Sequence, residues 1–214
     1  MYLPAHFEES RTEVLHRLIG EHGLGTLVTL AAGALEANHI PFEIDPEPAP
    51  YGTLRAHVAR SNPVWREFAK EVDALVVFQG AQAYISPNWY PSKQESGQVV
   101  PTYNYMVAHA YGPLKIVEDA AWLRALVGRL TDRYEASQAA PWKVADAPDA
   151  YIEKMLGAIV GIEIPINKLV GKWKTSQNRP AADRAGVVAG LRQQGGENGE
   201  TMAAAVLALQ SPKI

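Results

Sequence analysis

The chain has 214 residues, of which 47% are hydrophobic and 20% are charged, so it is neither a disordered nor a fibrous protein. A formal net charge of −3 gives no general affinity for nucleic acid, because that affinity comes from Lys and Arg replacing the counterions on phosphates. Cysteine is absent, which excludes disulfides, thiolate chemistry and zinc–sulfur sites.

The hydropathy pattern bears on where the protein resides. No apolar run approaches the roughly 20 residues that a membrane-spanning helix needs. The first seven residues lack the basic and then apolar pattern of a signal peptide. We therefore expect a cytoplasmic protein with no membrane partner.

The first half of the chain predicts short strands with helices between them. In order, we expect a helix over 8–21, strands over 24–30, 35–44 and 53–59, and a short helix over 64–71. In the third strand Leu54, Ala56 and Val58 face one way, while Arg55 and His57 face the other. Asn62, with Pro63 behind it, is a helix-capping residue.

The second half continues the same alternation. We expect strands over 74–78 and 82–86, separated by Gly80, and then a loop over 87–100. A strand over 102–117, interrupted at Gly112-Pro113, is followed by a helix over 119–137 and a strand over 158–166. The chain continues with a basic irregular segment over 168–180 and helices over 181–193 and 201–209. Successive hairpins with inserted helices favour an antiparallel barrel or sheet with helical decoration. A Rossmann fold is excluded, because neither its βαβ alternation nor its glycine motif is present.

One segment has the features of an anion site. Arg60-Ser61-Asn62 follows a strand that carries Arg55 and His57, and it leads into a predicted helix N-terminus. Exposed backbone N–H groups at such a point attract anions, and an arginine adds a forked contact. Two interpretations stay open: a phosphate cradle, or a helix cap beside a solvated arginine and a half-buried histidine.

The aromatic residues cluster between positions 84 and 111. The strand side chains that share one face by alternation are Tyr103, Tyr105, Val107, His109 and Tyr111. Such a face is typical of a core or a subunit interface, and it also suits a planar heteroaromatic ligand.

Metal and nucleic-acid sites have weaker signals. None of the six histidines forms a pair or a facial group at local metal-ligand spacing, so no metal site is predicted. The basic segment from Lys168 to Arg179 surrounds Trp173. It fits a nucleic-acid patch, a loop that closes over a phosphorylated ligand, or a solvated connection.

Six segments, in order along nearly the whole chain, together resemble one family. They are Met1–Phe7, Asn38–Phe42, His57–Trp65, Ala83–Tyr90, Val100–Tyr105 and Lys172–Arg179. They resemble the PaiB-type, FMN-binding negative transcriptional regulators, which are split-barrel proteins similar to pyridoxamine-phosphate oxidase. In the last segment the family usually has Lys-Leu-Ser-Gln-Asn, and this chain has Lys174-Thr-Ser-Gln-Asn.

The resemblance implies an α+β, mainly β fold, a split antiparallel β-barrel with helices packed around it. It implies a homodimer with FMN in the cleft between subunits. We expect an FMN-binding domain over residues 1–170 and a C-terminal loop and helical extension over 171–214.

The resemblance also implies which side chains hold the flavin. His39, Ile40, Arg55 and His57 would lie along the ring and ribityl chain, and Arg60, Ser61 and Asn62 would take the phosphate. From the other subunit, the site would be closed by Tyr84, Ser86, Thr102, Asn104, Gln177 and Arg179. Catalytic residues are not assigned.

Three functions remain in competition at this stage. The leading one is a homodimeric flavin protein with redox or flavin-sensing activity, in which Arg55 and His57 stabilise the reduced ring. The second is a DNA-binding repressor that uses the basic tail, although no helix-turn-helix is readable. The third is a split barrel that binds haem through His39, His57 or His109, or that binds no cofactor.

Overall fold

The computed structural model describes residues 1–208. Its strands are β1 (Glu8–Glu9), β2 (Leu24–Ala31), β3 (Ala34–Pro41), β4 (Glu43–Asp45), β5 (Thr53–Ala59), β6 (Ala74–Ile85), β7 (Thr102–Gly112), β8 (Lys115–Val117), β9 (Ile159–Pro165) and β10 (Lys168–Lys174). Its helices are α1 (Thr12–Glu21), α2 (Ser92–Ser96), α3 (Ala120–Glu135), α4 (Asp149–Gly157), α5 (Ala181–Gln194) and α6 (Glu197–Ala208).

The chain divides into two compact units. Of the described residues, unit 1 comprises Met1–Leu18, Gln79–Ala108 and 170–208. Unit 2 comprises Ile19–Phe78 and His109–Leu169. The predicted boundary between residues 170 and 171 stays a prediction.

Unit 2 is built from antiparallel pairs. The strands β2 and β3 form a hairpin whose two turn residues, Ala32 and Gly33, both have positive φ angles of 49° and 82°. A turn of this kind matches the twist of the flanking strands. A four-stranded sheet follows the order β4-β5-β9-β8, and every pairing recorded in it is antiparallel.

The core of unit 2 follows the alternation that the sequence predicts. Leu54, Ala56 and Val58 of β5 are buried, as expected, and Arg55 and His57 between them are half-buried. Helix α3 begins after Asp119, whose side chain accepts a hydrogen bond from the Trp122 amide at 2.7 Å. Asp119 is therefore the N-cap residue of this helix, which was expected over 119–137.

Unit 1 combines strands in the order β1-β10-β7-β6 with helices α5 and α6. Glu8 pairs with Lys172 across β1 and β10. Helix α5 lies against the Trp89 side chain through Gly190, where an added Cβ atom would lie 2.2 Å from the ring. Glycine is required at position 190 because the Trp89 ring packs directly against the helix backbone, and not because of its φ angle.

Three predicted elements are wrong, and local contacts explain the first two errors. The helix expected over 64–71 is only a short 3₁₀ turn over Pro63–Trp65, since the Ala69 amide donates to the Leu30 carbonyl, at 2.8 Å, instead of continuing a helix. Gly80 does not separate two strands, because β6 is continuous. An added Cβ at Gly80 would lie 2.9 Å from Leu18, so this glycine makes room for a side chain.

The third wrong element is the segment over 168–180, whose first half is strand β10 rather than irregular chain. The helix expected over 8–21 begins only at Thr12. The loop expected over 87–100 contains the short helix α2, and helix α4 was not predicted either. The helix expected over 201–209 begins earlier, at Glu197, and Leu209 lies outside the described residues.

The expected antiparallel sheets with helices are confirmed. Each strand order begins and ends on different strands, so within residues 1–208 the sheets are open rather than closed. In the same residues, no helix has both the length and the apolar character that crossing a bilayer requires.

Candidate ligand site

A cavity of about 370 Å³ lies within unit 2. Strand β3 contributes Asn38–Pro41, β5 contributes His57–Ala59, and Asn62 and Ile159 complete the lining. Four of the predicted ligand-binding residues therefore meet at one place: His39, Ile40, His57 and Asn62. The volume lies within the range of small-molecule and cofactor pockets.

Local structure explains why these side chains converge. Residues Val58 and Ala59 pair with Val160 and Ile159 of β9, which brings Ile159 to the end of β5. Beyond that end, the Asn62 side-chain oxygen accepts from the Val64 amide at 3.0 Å and so forms the turn. The expected capping role of Asn62 is confirmed, although the structure that it caps is a single turn.

His57 is the half-buried polar side chain at the centre of this arrangement. Burial lowers its pKa from the ordinary value of about 6.5, so the imidazole is neutral at neutral pH. Its buried Nδ1 atom has no hydrogen-bond partner among the described residues. A neutral imidazole with an unused nitrogen can accept or donate one hydrogen bond to a ligand.

Arg60 does not line the cavity. Its Nε and Nη2 atoms donate to the carbonyls of Gly157 and Ile159, at 2.9 and 3.1 Å. Its Nη1 atom lies 2.6 Å from a carboxylate oxygen of Glu118. The guanidinium therefore holds the turn to β9, and its predicted role at a phosphate stays a prediction.

Arg55 and Ser61 also lie outside the lining. Arg55 forms ion pairs with Asp45 at 2.7 Å and Glu163 at 3.3 Å, its neighbours on the flanking strands β4 and β9. Ser61 is exposed. The structure thus brings together four of the seven residues that were predicted for this part of the site.

The remaining predicted residues belong to unit 1. Thr102 accepts a hydrogen bond from Lys174, and Asn104 donates to the Ser176 hydroxyl at 2.9 Å. Gln177 accepts from the Thr175 amide at 2.7 Å, which folds the segment after β10 into a turn. Arg179 lies over the Tyr90 ring, 4.7 Å from its centroid.

Tyr84 and Ser86 occupy the end of β6 in the same unit. The rings of Tyr84 and Tyr103 meet edge to face, with centroids 5.8 Å apart, and both side chains are exposed. The Ser86 hydroxyl accepts from the Asn88 amide at 3.2 Å and so begins a 3₁₀ turn.

Asn104 carries a second unsatisfied polar atom. The residue is fully buried, and its Oδ1 atom has no partner among residues 1–208. Its partner Ser176 has a φ angle of 68°, in the left-handed region that non-glycine residues seldom occupy. A buried unpaired oxygen costs about 1–3 kcal/mol, and a ligand donor would remove that cost.

Lys172 and Lys174, which flank Trp173 in the basic tail, are not fully solvated, whereas Lys168 is exposed. Lys172 is only 7% exposed, and its Nζ donates to the Tyr2 carbonyl at 3.0 Å. The Nζ atom also lies 5.3 Å from the centroid of the Tyr105 ring. Burial lowers the pKa of Lys174. Direct DNA binding through these lysines therefore has little exposed charge to use.

Sequence reasoning missed part of the lining. The residue spacing around Asn38 does not mark it as a binding residue. Its Oδ1 atom nevertheless accepts a hydrogen bond from the Asn62 side chain at 2.9 Å. Ile159 joins the lining only through the pairing of β5 with β9. The available signal for Asn38 was its place in the Asn38–Phe42 segment. Within residues 1–208, no three acidic or histidine side chains gather to hold a metal ion.

The lining suits a flat ligand with polar edges. Ile40, Val58 and Ile159 supply apolar surface, while the histidines and asparagines supply hydrogen-bonding groups. This combination of apolar walls and few polar groups is what cofactor sites use for binding and orientation.

Comparison with known proteins gives the family. Residues 1–168 match the family described as "Putative FMN-binding domain". The Bacillus subtilis protein named protease synthase and sporulation protein PAI 2 is 32% identical over 203 residues, covering 95% of each chain. An uncharacterized protein of Emericella nidulans is 34% identical and also covers 95% of each chain.

Solved structures share the fold at low identity. The FAD and heme binding protein from Mycobacterium smegmatis superposes with a TM-score of 0.60 at 18% identity, covering 86% of this chain and 80% of that chain. The flavocytochrome Anf3 from Azotobacter vinelandii gives a TM-score of 0.60 at 11% identity, covering 84% and 75%. These structures show the fold alone. The family match over residues 1–168 and the Bacillus relative show that the chain belongs to the PaiB-type family of FMN-binding-domain proteins.

Proposed function

We propose that this protein binds FMN, with the flavin in the unit 2 cavity, and that it acts as a redox or flavin-sensing protein. The observation that carries the proposal is the convergence of His39, Ile40, His57 and Asn62 on one cavity of about 370 Å³. Family membership supports FMN as the form of flavin.

The residues present fit the ring system. A flavin offers two flat faces and an edge of hydrogen-bonding atoms, and the lining offers apolar side chains with polar groups at its rim. His57 supplies a buried nitrogen that no described residue uses. These features match a heteroaromatic ring better than a flexible polar ligand.

For Arg60 to bind the FMN phosphate, its exposed ion pair with Glu118 would have to break. Arg60 is the arginine nearest in sequence to Asn62, and its Nη1 atom is engaged by Glu118. The Glu118 side chain is 57% exposed, so this ion pair is worth at most about 1 kcal/mol. A dianionic phosphate would compete for the guanidinium with little cost.

A homodimer is part of the same proposal. Strand β3 carries several exposed side chains, and Leu35 among them is 77% exposed. In unit 1, Tyr84 and Tyr103 are also exposed, at 46% and 55%. Apolar and aromatic side chains of this kind are typical of surfaces that another subunit covers.

In this proposal the flavin supplies one- and two-electron transfer when bound. His57 lines the cavity whereas Arg55 does not, so His57 is the side chain that would face negative charge on a reduced ring. Burial lowers the pKa of His57, and a nearby negative charge would raise it again. His57 would then hold a proton close to that charge.

The test is to purify the protein, record its visible spectrum and titrate it with FMN. We expect a flavin spectrum, or stoichiometric FMN binding if the flavin is lost during purification. A colourless protein that does not bind added FMN contradicts the proposal. A Soret band would assign haem instead, and sedimentation of the FMN-loaded protein tests the dimer.

A further inference from the structure

A second cavity, of about 320 Å³, lies within unit 2 beside the first. His57 and Pro41 line both cavities. The second cavity is otherwise formed by helix α3 and by Trp142, which follows that helix in the chain. The proposed flavin site does not use these residues.

The helical residues of this lining share one face. Val127, Leu130, Thr131, Tyr134 and Glu135 follow the spacing i, i+3, i+4, i+7 and i+8. Val127 and Leu130 supply an apolar floor. Tyr134 and Trp142 remain 49% and 44% exposed, which leaves large ring surfaces facing solvent.

The rings are held in place by the chain around them. The Glu135 carboxylate accepts a hydrogen bond from the Trp142 amide at 3.0 Å, which ties the loop to the last turn of α3. The Tyr134 hydroxyl occupies space beside Gly23, where an added Cβ atom would lie 2.7 Å from it. The backbone of Trp142 and the hydroxyl of Tyr134 are therefore positioned at the cavity by these contacts.

The charge of the lining is one-sided. Among the described residues that line it, Glu135 is the only acidic side chain, and the only other titratable group besides Tyr134 is the half-buried His57. Arg133 lies against the Tyr134 ring, 5.3 Å from the centroid, and does not line the cavity. A cationic or hydrogen-bond-donating ligand would complement this surface, whereas an anion would face an uncompensated carboxylate.

We propose that this second cavity binds a small planar aromatic molecule that carries an amine, and that this molecule is the substrate or effector that meets the flavin. The ring lies among Tyr134, Trp142 and Leu130, and the amine faces Glu135. Pro41 and His57, which line both cavities, would then lie between this ligand and the first cavity. The substrate role rests on the proposed function, but the binding itself does not.

The test uses three indole probes that share a ring and differ in charge. Tryptamine is cationic, indole is neutral and indole-3-acetate is anionic, and isothermal titration measures their binding to the full chain with and without FMN. We expect tryptamine to bind most tightly and indole-3-acetate most weakly. Weak or absent tryptamine binding overturns the inference, as does an equal affinity for all three probes.

Three variants separate the effect of the Glu135 charge from the effect of the cavity's space. Glu135→Gln keeps an acceptor for the Trp142 amide and removes the charge, so tryptamine should bind about fivefold more weakly while indole is unchanged. Asp132→Asn removes an exposed charge from the same helix outside the lining and should change neither affinity. Thr131→Trp fills the cavity and should abolish binding of both probes.

Further readouts distinguish the ways of failing. If FMN does not bind but tryptamine does, the proposed flavin function fails and the cavity remains a ligand site. If both bind but tryptamine leaves the flavin absorbance unchanged, the substrate or effector role is overturned. If Thr131→Trp alters the sedimentation coefficient, the cavity is a contact between copies of the chain, and the inference is wrong.

Discussion

The Asn62 side-chain nitrogen donates a hydrogen bond to the Asn38 side-chain oxygen over 2.9 Å. This bond joins the turn after β5 to strand β3. The Asn62 oxygen accepts from the Val64 amide at the same time, so one side chain both forms the turn and ties it to the neighbouring strand. Both asparagines line the first cavity.

This double role predicts how Asn62 variants bind flavin. Asn62→Asp keeps the acceptor for the Val64 amide but loses the donor to Asn38, so we expect FMN to bind about fivefold more weakly with the fold intact. Asn62→Ala loses both bonds and should bind FMN more weakly still. Quenching of flavin fluorescence measures both affinities.

Asn167→Ala is the matched control. Its side-chain nitrogen donates to Asp73 at 2.7 Å, in the same unit and outside the cavity lining. FMN affinity should stay at the wild-type value in this variant. An equal loss in Asn167→Ala and Asn62→Asp would contradict a specific role for the Asn62–Asn38 bond.

The contact between Arg60 and Glu118 predicts a difference between FMN and riboflavin. Glu118→Gln weakens the competing ion pair, so FMN should bind about two- to fivefold more tightly, while riboflavin, which lacks the phosphate, should be unaffected. Arg60→Gln should weaken FMN and leave riboflavin close to the wild-type affinity. If both ligands respond alike in both variants, Arg60 does not hold the phosphate.

Two helical glycines predict stability changes of opposite sign. Gly190→Ala places a methyl group 2.2 Å from the Trp89 ring and should lower the free energy of unfolding by about 1–3 kcal/mol. Gly128 in α3 has open space around it, so Gly128→Ala should raise that free energy by about 0.5–1 kcal/mol. Urea denaturation followed by circular dichroism measures both. A destabilised Gly128→Ala would show that α3 has less room at this position than the structure gives it.

Because His57 and His109 are half-buried, we expect the protein to lose stability in mild acid. Burial lowers the pKa of His57 and of His109, so below about pH 6.5 the unfolded chain takes up protons that the folded protein resists. Their contribution to stability is present above that pH and is lost as the pH falls through the lowered pKa values. His57→Gln and His109→Gln should each reduce the change in the urea midpoint between about pH 7 and about pH 5. His6→Gln, which removes an exposed histidine, is the control. If all three variants show the wild-type change in urea midpoint between the two pH values, burial of His57 and His109 does not cause the loss of stability.

Local patterns were sufficient for the β2–β3 hairpin, and together with the family resemblance they identified four of the nine residues that line the first cavity. The alternation in 53–59 placed Leu54 inward and His57 outward on β5, and the structure confirms both. The cap at Asn62 was readable because its residue type and the following proline are local signals. The resemblance identified His39 and Ile40 through one short segment.

Long-range pairing explains what sequence reasoning could not find. Ile159 reaches the cavity only because β9 pairs with β5, and Arg60 turns to the carbonyls of Gly157 and Ile159 for the same reason. The sequence left three interpretations open for the basic segment that contains Lys172, and none of them placed this side chain in the interior, where ring contacts and the Tyr2 carbonyl hold it. The second cavity depends on the packing of α3 near Pro41 and His57, which no local pattern encodes.

The most direct test of the flavin site observes the histidine ring protons by NMR while FMN is added, with signals assigned through His→Gln variants. If FMN occupies the first cavity, the signals of His39 and His57 should shift together and saturate at one FMN per chain. Shifts confined to other histidines, such as His16 and His22, with His39 and His57 unchanged at saturating FMN, would contradict it.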